Sequence, residues 1–253
     1  MSSNEPLSAV VSRAAAYEGK AKRMSMRGDG LVEIFFKDDA TAGNGKKRAS
    51  FPGKGVLCSR ISEVLFLHLH RRGIATHFVS RIDERTLLAR AVAIVPLEVV
   101  VRFRAAGSLV QRIGLPPHSL CEPPLVEFYY KRDDLGDPLI NDDHIRQLQL
   151  ATPAELAVLR REALRIAADL RDYLTGAGIA LYDLKLEFGR TADGLLLADE
   201  ISPDTCRFRD VATGQVLDKD VFRLDLAPLV PTYQEVLTRL ERIEPSRPPS
   251  GAS

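Results

Sequence analysis

The chain has no tryptophan, only three cysteines, and no excess of charge of either sign. Each shortage excludes something. Cys58, Cys121 and Cys206 are odd in number and have no short ligand spacing, which fits reduced thiols better than a disulfide framework or a zinc site. Lys and Arg number 35 against 34 Asp and Glu, a formal net charge of +1, so no global field draws nucleic acid or an anionic membrane. Any anion must therefore be held by a local cluster. No run of about 18 apolar residues occurs, and the first residues, Met1-Ser-Ser-Asn-Glu-Pro6, lack the charged and apolar regions of a secretion signal. A cytoplasmic protein with neither a nucleic-acid nor a membrane partner is expected. Walker and Rossmann phosphate loops are also missing, so a nucleotide would have to be held another way.

What is present is enough for a substantial core: 253 residues, 45% of them hydrophobic, forming one large domain or two lobes. Residues 1–14 and 244–253 have linker composition and are expected to be mobile. Apolar and turn patterning predicts strands over 20–26 and 31–36, a helix carrying Ile61, Val64, Leu65 and Leu69 that stops at Gly73, and strands over 75–80 and 87–95. The first part is thus mostly sheet. Val95-Pro-Leu-Glu98 reads as a crossing from residues 15–96 into a second unit, 97–243, because Pro96 breaks the strand pattern. The strongest helix signal spans 153–175, with Thr152 as N-cap, Pro153 in the first turn and Glu155 completing a capping box. A last helix is predicted over 232–243. His68 and His70, two residues apart in a helical pattern, would face different sides and would not share a metal.

Three clusters carry chemistry. In the segment 182–188, Asp183, Lys185 and Glu187 alternate with Leu184, Leu186 and Phe188, which puts three charges on one face of a strand. With a turn centred near Asp193, Asp199 on the returning arm becomes a cross-strand neighbour of Glu187. Two such carboxylates invite a divalent cation such as magnesium, or belong to an ordinary amphipathic hairpin with solvated charges. Second, Gly19-Lys-Ala-Lys22 puts Lys20 and Lys22 on one face of the first strand, suited to a polyphosphate or simply exposed. Third, Arg102-Phe-Arg-Ala-Ala-Gly-Ser108 leads out of a strand into a helix with Ser108 as the expected N-cap, a phosphate-site design or an ordinary capped helix. The turn-rich stretch from Asp199 to Arg209 follows directly on the acidic hairpin.

Taken together, Tyr17-Glu-Gly-Lys-Ala-Lys22, Lys37-Asp-Asp-Ala-Thr-Ala42, Gly53-Lys-Gly55, the stretch from Pro96 to Ser108, Asp183-Leu-Lys-Leu-Glu-Phe-Gly189, Asp199-Glu-Ile-Ser-Pro-Asp204 and Leu217-Asp-Lys-Asp220 resemble the SAICAR synthetase family. The segments run in family order from about Tyr17 to Tyr233. The resemblance implies an α+β, two-lobed fold with ATP between a mostly β N-terminal lobe and a larger C-terminal one. It implies an ATP-dependent ligase that activates the carboxylate of the azole ribonucleotide CAIR and lets the amine of L-aspartate displace phosphate. By the same resemblance Lys20 and Lys22 would touch ATP phosphates, Val95 to Glu98 would border the adenine, and Glu187 and Asp199 would hold Mg2+. Arg102, Ser108 and Arg207 would bind the ribonucleotide phosphate, Lys131, Asp183 and Lys185 would surround its azole and carboxylate, and Asp204 and Lys219 would share the cleft.

The chain departs from the family pattern at Cys58-Ser59, where a pair of asparagines is usual, and at Thr205-Cys-Arg-Phe-Arg209, where Arg209 stands in the place of a tryptophan. These departures keep open a paralogue acting on a related azole carboxylate nucleotide, and a non-catalytic nucleotide-binding module. Whether the chain forms a homo-oligomer is not set by its pattern.

Overall fold

The structure is a computed structural model that describes residues 16–42 and 47–244. The end segments expected to be mobile lie outside the described residues except for Glu244, whose carboxylate accepts hydrogen bonds from Arg71 (2.6 Å) and the Tyr173 hydroxyl (2.8 Å).

The first part of the chain supplies β1 (Ala16–Glu18), β2 (Lys22–Met26), β3 (Leu31–Phe36), a small hairpin of β4 (Asp39–Ala42) and β5 (Lys47–Ser50), helix α1 (Lys54–Arg71), β6 (Phe78–Arg81) and β7 (Thr86–Arg90). Strands β1-β2-β3-β7-β6 form an antiparallel five-stranded sheet. Alternation makes β3 amphipathic: Val32, Ile34 and Phe36 are buried and their neighbours partly exposed. Helix α1 lies against this sheet and carries Ile61, Leu65, Phe66 and Leu69 into the core. Each such side chain contributes about 1.5–3 kcal/mol by leaving water.

The second part supplies β8 (Ala93–Arg104), α2 (Ser108–Ile113), β9 (Leu120–Tyr130), β10 (Leu139–Ile140), α3 (Asp142–Gln147), α4 (Pro153–Gly176), β11 (Ile179–Thr191), β12 (Gly194–Ala198), β13 (Cys206–Asp210), α5 (Asp220–Arg223) and α6 (Leu229–Ile243). Its sheet runs β10-β9-β8-β11-β12, with β13 also paired to β11. Helix α4 has the expected capping box: the Thr152 hydroxyl accepts from Glu155 N, and the Glu155 carboxylate accepts from Thr152 N. Its apolar stripe from Leu156 to Leu174 packs on β8 and β11. One apolar core runs through both sheets, so the fold is α+β.

Several boundaries differ from the sequence reading. Residues 87–95 are not one strand: β7 ends at Arg90, and β8 begins at Ala93. Pro96 does not break β8, which continues to Arg104. The β8–β11 register shifts between the Glu187↔Glu98 and Gly189↔Ile94 pairs, so a residue without an N–H is tolerated there, while Pro96 O accepts from Lys131 N (3.1 Å). Lys20 precedes β2 rather than lying on it. Helix α6 starts three residues earlier than expected, at Leu229. Ser108 is the first helical residue of α2, and the N-cap is Gly107 (φ +57°, ψ −134°), with no side-chain cap. At six residues, α2 adds little dipole to any anion site.

Candidate active site

Between the two sheets lies a pocket of about 650 Å³. One wall is apolar: Met24 and Met26 from β2, Val32 and Ile34 from β3, and Ile94 from β8. The facing wall is charged. Of the fourteen residues singled out in sequence, nine line this pocket: Lys20, Lys22, Glu98, Lys131, Lys185, Glu187, Asp199, Asp204 and Lys219. Val95 does not. Strand alternation turns its side chain into the core, fully buried, and presents Ile94 and Glu98 to the pocket instead.

The charged wall is a tight lattice of opposite charges. Lys185 Nζ donates to Glu187 Oε1 (2.6 Å) and Glu98 Oε1 (2.9 Å), and lies 3.9 Å from Asp199 Oδ2. Lys131 Nζ donates to the same Glu187 oxygen at 2.8 Å. Lys22 bridges Asp199 and Glu200, 2.8 Å from the latter. Burial opposes charge on Lys22, Lys185 and Asp199. Yet Lys22, Lys185 and Lys131 outweigh it and hold the Asp199 carboxyl well below the usual carboxylate range, while Asp199 and Glu200 hold the Lys22 ammonium high. Lys20 stands apart, paired with Asp133 at 2.7 Å near the pocket rim.

The hairpin register is offset by one from that expected. Glu187 pairs with Ala198, and Asp199 lies just beyond the end of β12 with φ +63°. The left-handed turn of Asp199 still brings its carboxylate to Lys185, which Glu187 also holds, so the two acids converge through backbone geometry rather than direct pairing.

Arg102, Asp183 and Arg207 are not on the pocket wall; they form a second, adjoining cluster. Asp183 Oδ2 accepts from Arg102 Nη1 (2.9 Å) and Arg207 Nη1 (3.0 Å), so one carboxylate holds two guanidinium groups side by side. Glu127 and Tyr129 take the rest of the Arg102 fork, and Asp220 accepts from Arg207 Nε at 3.0 Å. Gly107 lies against the Arg207 guanidinium, which a Cβ there would meet at less than 3 Å, and exposed Ser108 follows it. Asp183 thus holds the two arginines and does not line the pocket. Asp183 and Lys185 share one face of β11, which carries the two clusters next to each other.

At the other end of the pocket, Asp204 accepts from Tyr233 (2.6 Å) and pairs with Lys54 (2.6 Å), with Lys219 at 3.7 Å. Burial lowers the Lys219 pKa despite the attraction of Asp204.

The profile of the SAICAR synthetase family matches residues 15–240. The chain belongs to the SAICAR synthetase family. The phosphoribosylaminoimidazole-succinocarboxamide synthase of Exiguobacterium sibiricum is 51% identical over 226 residues, which cover 88% of this chain and 96% of that protein. The enzyme of the same name from Halalkalibacterium halodurans is 50% identical over 228 residues, with 89% and 96% covered. A solved SAICAR synthetase in complex with ADP superposes with a TM-score of 0.88 at 44% identity, over 92% of this chain and 100% of that one.

The departures from the SAICAR synthetase pattern fall mostly behind the pocket wall. Cys58 and Cys206 are buried. Arg209 is buried too: it donates to Asp218 and to Phe208 O (2.8 Å), and its guanidinium lies 5.2 Å from the Tyr182 ring centre. Arg209 therefore packs over an aromatic ring while pairing with an interior carboxylate. Thr205 alone of these positions lines the pocket. Sequence reasoning missed Glu200, Asp133, Lys54 and His77, all joined to the site by contacts from distant parts of the chain. Among the described residues no helix is long and apolar enough to cross a membrane.

Proposed function

We propose that this chain is an ATP-dependent ligase joining the carboxylate of CAIR to the amine of L-aspartate through an acyl phosphate, giving SAICAR in purine biosynthesis. Membership of the SAICAR synthetase family supports the reading, and one observation carries it within the molecule: an apolar wall faces a wall of lysines and carboxylates, with a paired-arginine cluster alongside. The apolar wall takes adenine, and Lys20 and Lys22 take the ATP phosphates. Arg102, Arg207 and Ser108 take the ribonucleotide phosphate, because two forked guanidinium groups match a phosphate's oxygens. Lys131 and Lys185 face the substrate carboxylate, with Asp204 and Lys219 beyond them.

Glu187 and Asp199 suit Mg2+. Both carboxylates reach a single cationic group, the Lys185 ammonium, so they can share a cation, and they offer the hard oxygens magnesium prefers. Among the described residues no group of three metal-ligating side chains exists, so phosphate and water would have to complete the shell of such an ion. When bound, the ion neutralises phosphate charge.

The chain's own residues do the rest. A carboxylate is a poor electrophile; transfer of the γ-phosphoryl group to it releases ADP and creates a leaving group. The aspartate amine then forms the C–N bond as the C–O bond to phosphate breaks and the amine gives up a proton. Lysines fixed in a buried lattice stabilise charge without reorganising, and holding both substrates together removes most of the entropic barrier. The substrates are small molecules, and we assign the enzyme to the cytoplasm.

Purified protein with ATP, Mg2+, aspartate and CAIR is expected to release ADP and the succinocarboxamide product in equal amounts. ADP release only with another azole carboxylate would shift the substrate assignment, and nucleotide binding without ADP release would overturn the ligase reading.

A further inference from the structure

His77 is used by none of the chemistry above, yet it is buried at the pocket beside Asp199. Its main-chain N–H donates to Leu197 O (2.8 Å), and its ring Nε2 donates to Asp199 O (2.9 Å). Carbonyls two residues apart on a strand point to the same side. A main-chain donor from His77 serves the first, and where β12 has ended, its side chain serves the second.

That second carbonyl belongs to a residue in an uncommon conformation. Asp199 has φ +63°, which asparagine and aspartate adopt more readily than most side chains but which persists only when the surroundings fix it. Strand register alone sets Ala198, not Asp199, opposite Glu187. The left-handed turn is what brings the Asp199 carboxylate toward the group that Glu187 also holds. The His77 clamp is itself rigid. Arg90 N donates to His77 O (2.7 Å), and the Phe66 ring meets the imidazole edge-on, with centroids 5.7 Å apart. His77 therefore joins the five-stranded sheet and α1 to the end of β12.

We infer that His77 is a positioning residue: its ring N–H on the Asp199 carbonyl holds Asp199 in the left-handed turn that aims its carboxylate, with that of Glu187, at a shared divalent cation. The inference rests on the metal role proposed above for those two acids. Groups that orient a metal ligand typically change metal affinity by about 10- to 100-fold when removed.

The test compares two amide variants of the full chain. In His77→Gln the side-chain N–H reaches the position of the imidazole Nε2, whereas in His77→Asn it falls short. Binding of Mn2+ in the presence of ADP, followed by titration calorimetry and by the Mn2+ paramagnetic resonance signal, is expected to weaken about 10-fold or more in His77→Asn. It should recover to within about threefold of the unsubstituted protein in His77→Gln. The KM for the azole nucleotide should hold in both variants while the metal concentration needed for half-maximal turnover shifts in His77→Asn. Equal Mn2+ affinities in the two variants would overturn the inference alone. Failure of the unsubstituted protein to bind Mn2+ with ADP would overturn the metal reading beneath it and the inference with it.

Discussion

Lys54→Met is expected to be among the most destabilising single changes in this chain. Lys54 opens α1, and its ammonium lies 2.6 Å from Asp204 Oδ2, the two side chains only 2% and 4% exposed. Methionine has nearly the same shape and no charge, so the change strands a buried carboxylate rather than creating a hole. Removing one partner of a buried ion pair costs about 3–5 kcal/mol. The Tyr233 hydroxyl, 2.6 Å from the other Asp204 oxygen, and Lys219, 3.7 Å away, remain, which sets the loss near the lower end, about 3 kcal/mol. For a chain of this size each kcal/mol moves Tm by about 2–4 °C, giving a fall of about 6–12 °C at neutral pH. Adding Asp204→Asn removes the stranded charge, and the double variant is expected to recover more than half of the loss.

The same pair fixes a sign in pH. Burial raises the Asp204 pKa, but Lys219 and Lys54 outweigh it and hold it well below the ordinary value. A depressed carboxylate contributes stability that is present above the unfolded pKa, about 3.9, and is lost as pH falls below it. Without Lys54 burial gains ground and the pKa moves up, so the deficit of Lys54→Met should shrink as pH falls from 7 toward 4. Urea unfolding followed by circular dichroism reads all of this. A loss under about 1 kcal/mol at pH 7, or a double variant no more stable than the single one, would refute the stranded-charge reasoning.

Glu187→Gln and Asp199→Asn are each expected to cut ADP-forming turnover by about a hundredfold or more while leaving the fold intact by circular dichroism; near-normal turnover in both would remove the metal assignment. Gly107→Ala puts a methyl group into the Arg207 guanidinium at a backbone conformation that favours glycine, so the KM for the azole nucleotide should rise with the KM for ATP unchanged. Glu155→Gln should cost about 1 kcal/mol at pH 7 by weakening the α4 cap and the partly exposed pair with Arg190. Hydrogen bonding from Arg190 and Thr152 brings the Glu155 pKa down to about 2, so that cost should be present above pH 4.5 and fade as pH falls toward 2.

How much of this was legible in the chain depended on the range of the interaction. The α4 capping box and stripe depend on residues within a few turns of each other, and they fold as their pattern predicts. The charged face of β11 is equally local, which is why Lys185 and Glu187 were found. The Glu187–Asp199 convergence was nearly found, but the turn at Thr191 to Gly194 sets the register one residue away from the assumed one. The strand β1, the β4–β5 hairpin and the pairing of β13 with β11 left no strong local pattern. The partners of Lys54, His77 and Asp133 were not legible for a different reason: each acts on a residue more than a hundred positions away, and nothing near it in sequence marks the partner.

The unbroken course of β8 has one more consequence. Ile94 lies on the apolar wall, Glu98 grips Lys185, and Arg102 grips Asp183, all on one strand. Between Ile94 and Glu98 four residues of β8 face only two of β11, so the bulge leaves about six regular steps of 3.3 Å, roughly 20 Å, from the apolar wall to the paired arginines. From Glu98 to Arg102 the strand is paired on both sides, so that part of the span can neither stretch nor flex like a loop. The spacing between the two side-chain clusters is therefore a property of the backbone: deleting two residues between Glu98 and Arg102 would keep every side chain on its face yet bring the two clusters about 7 Å closer.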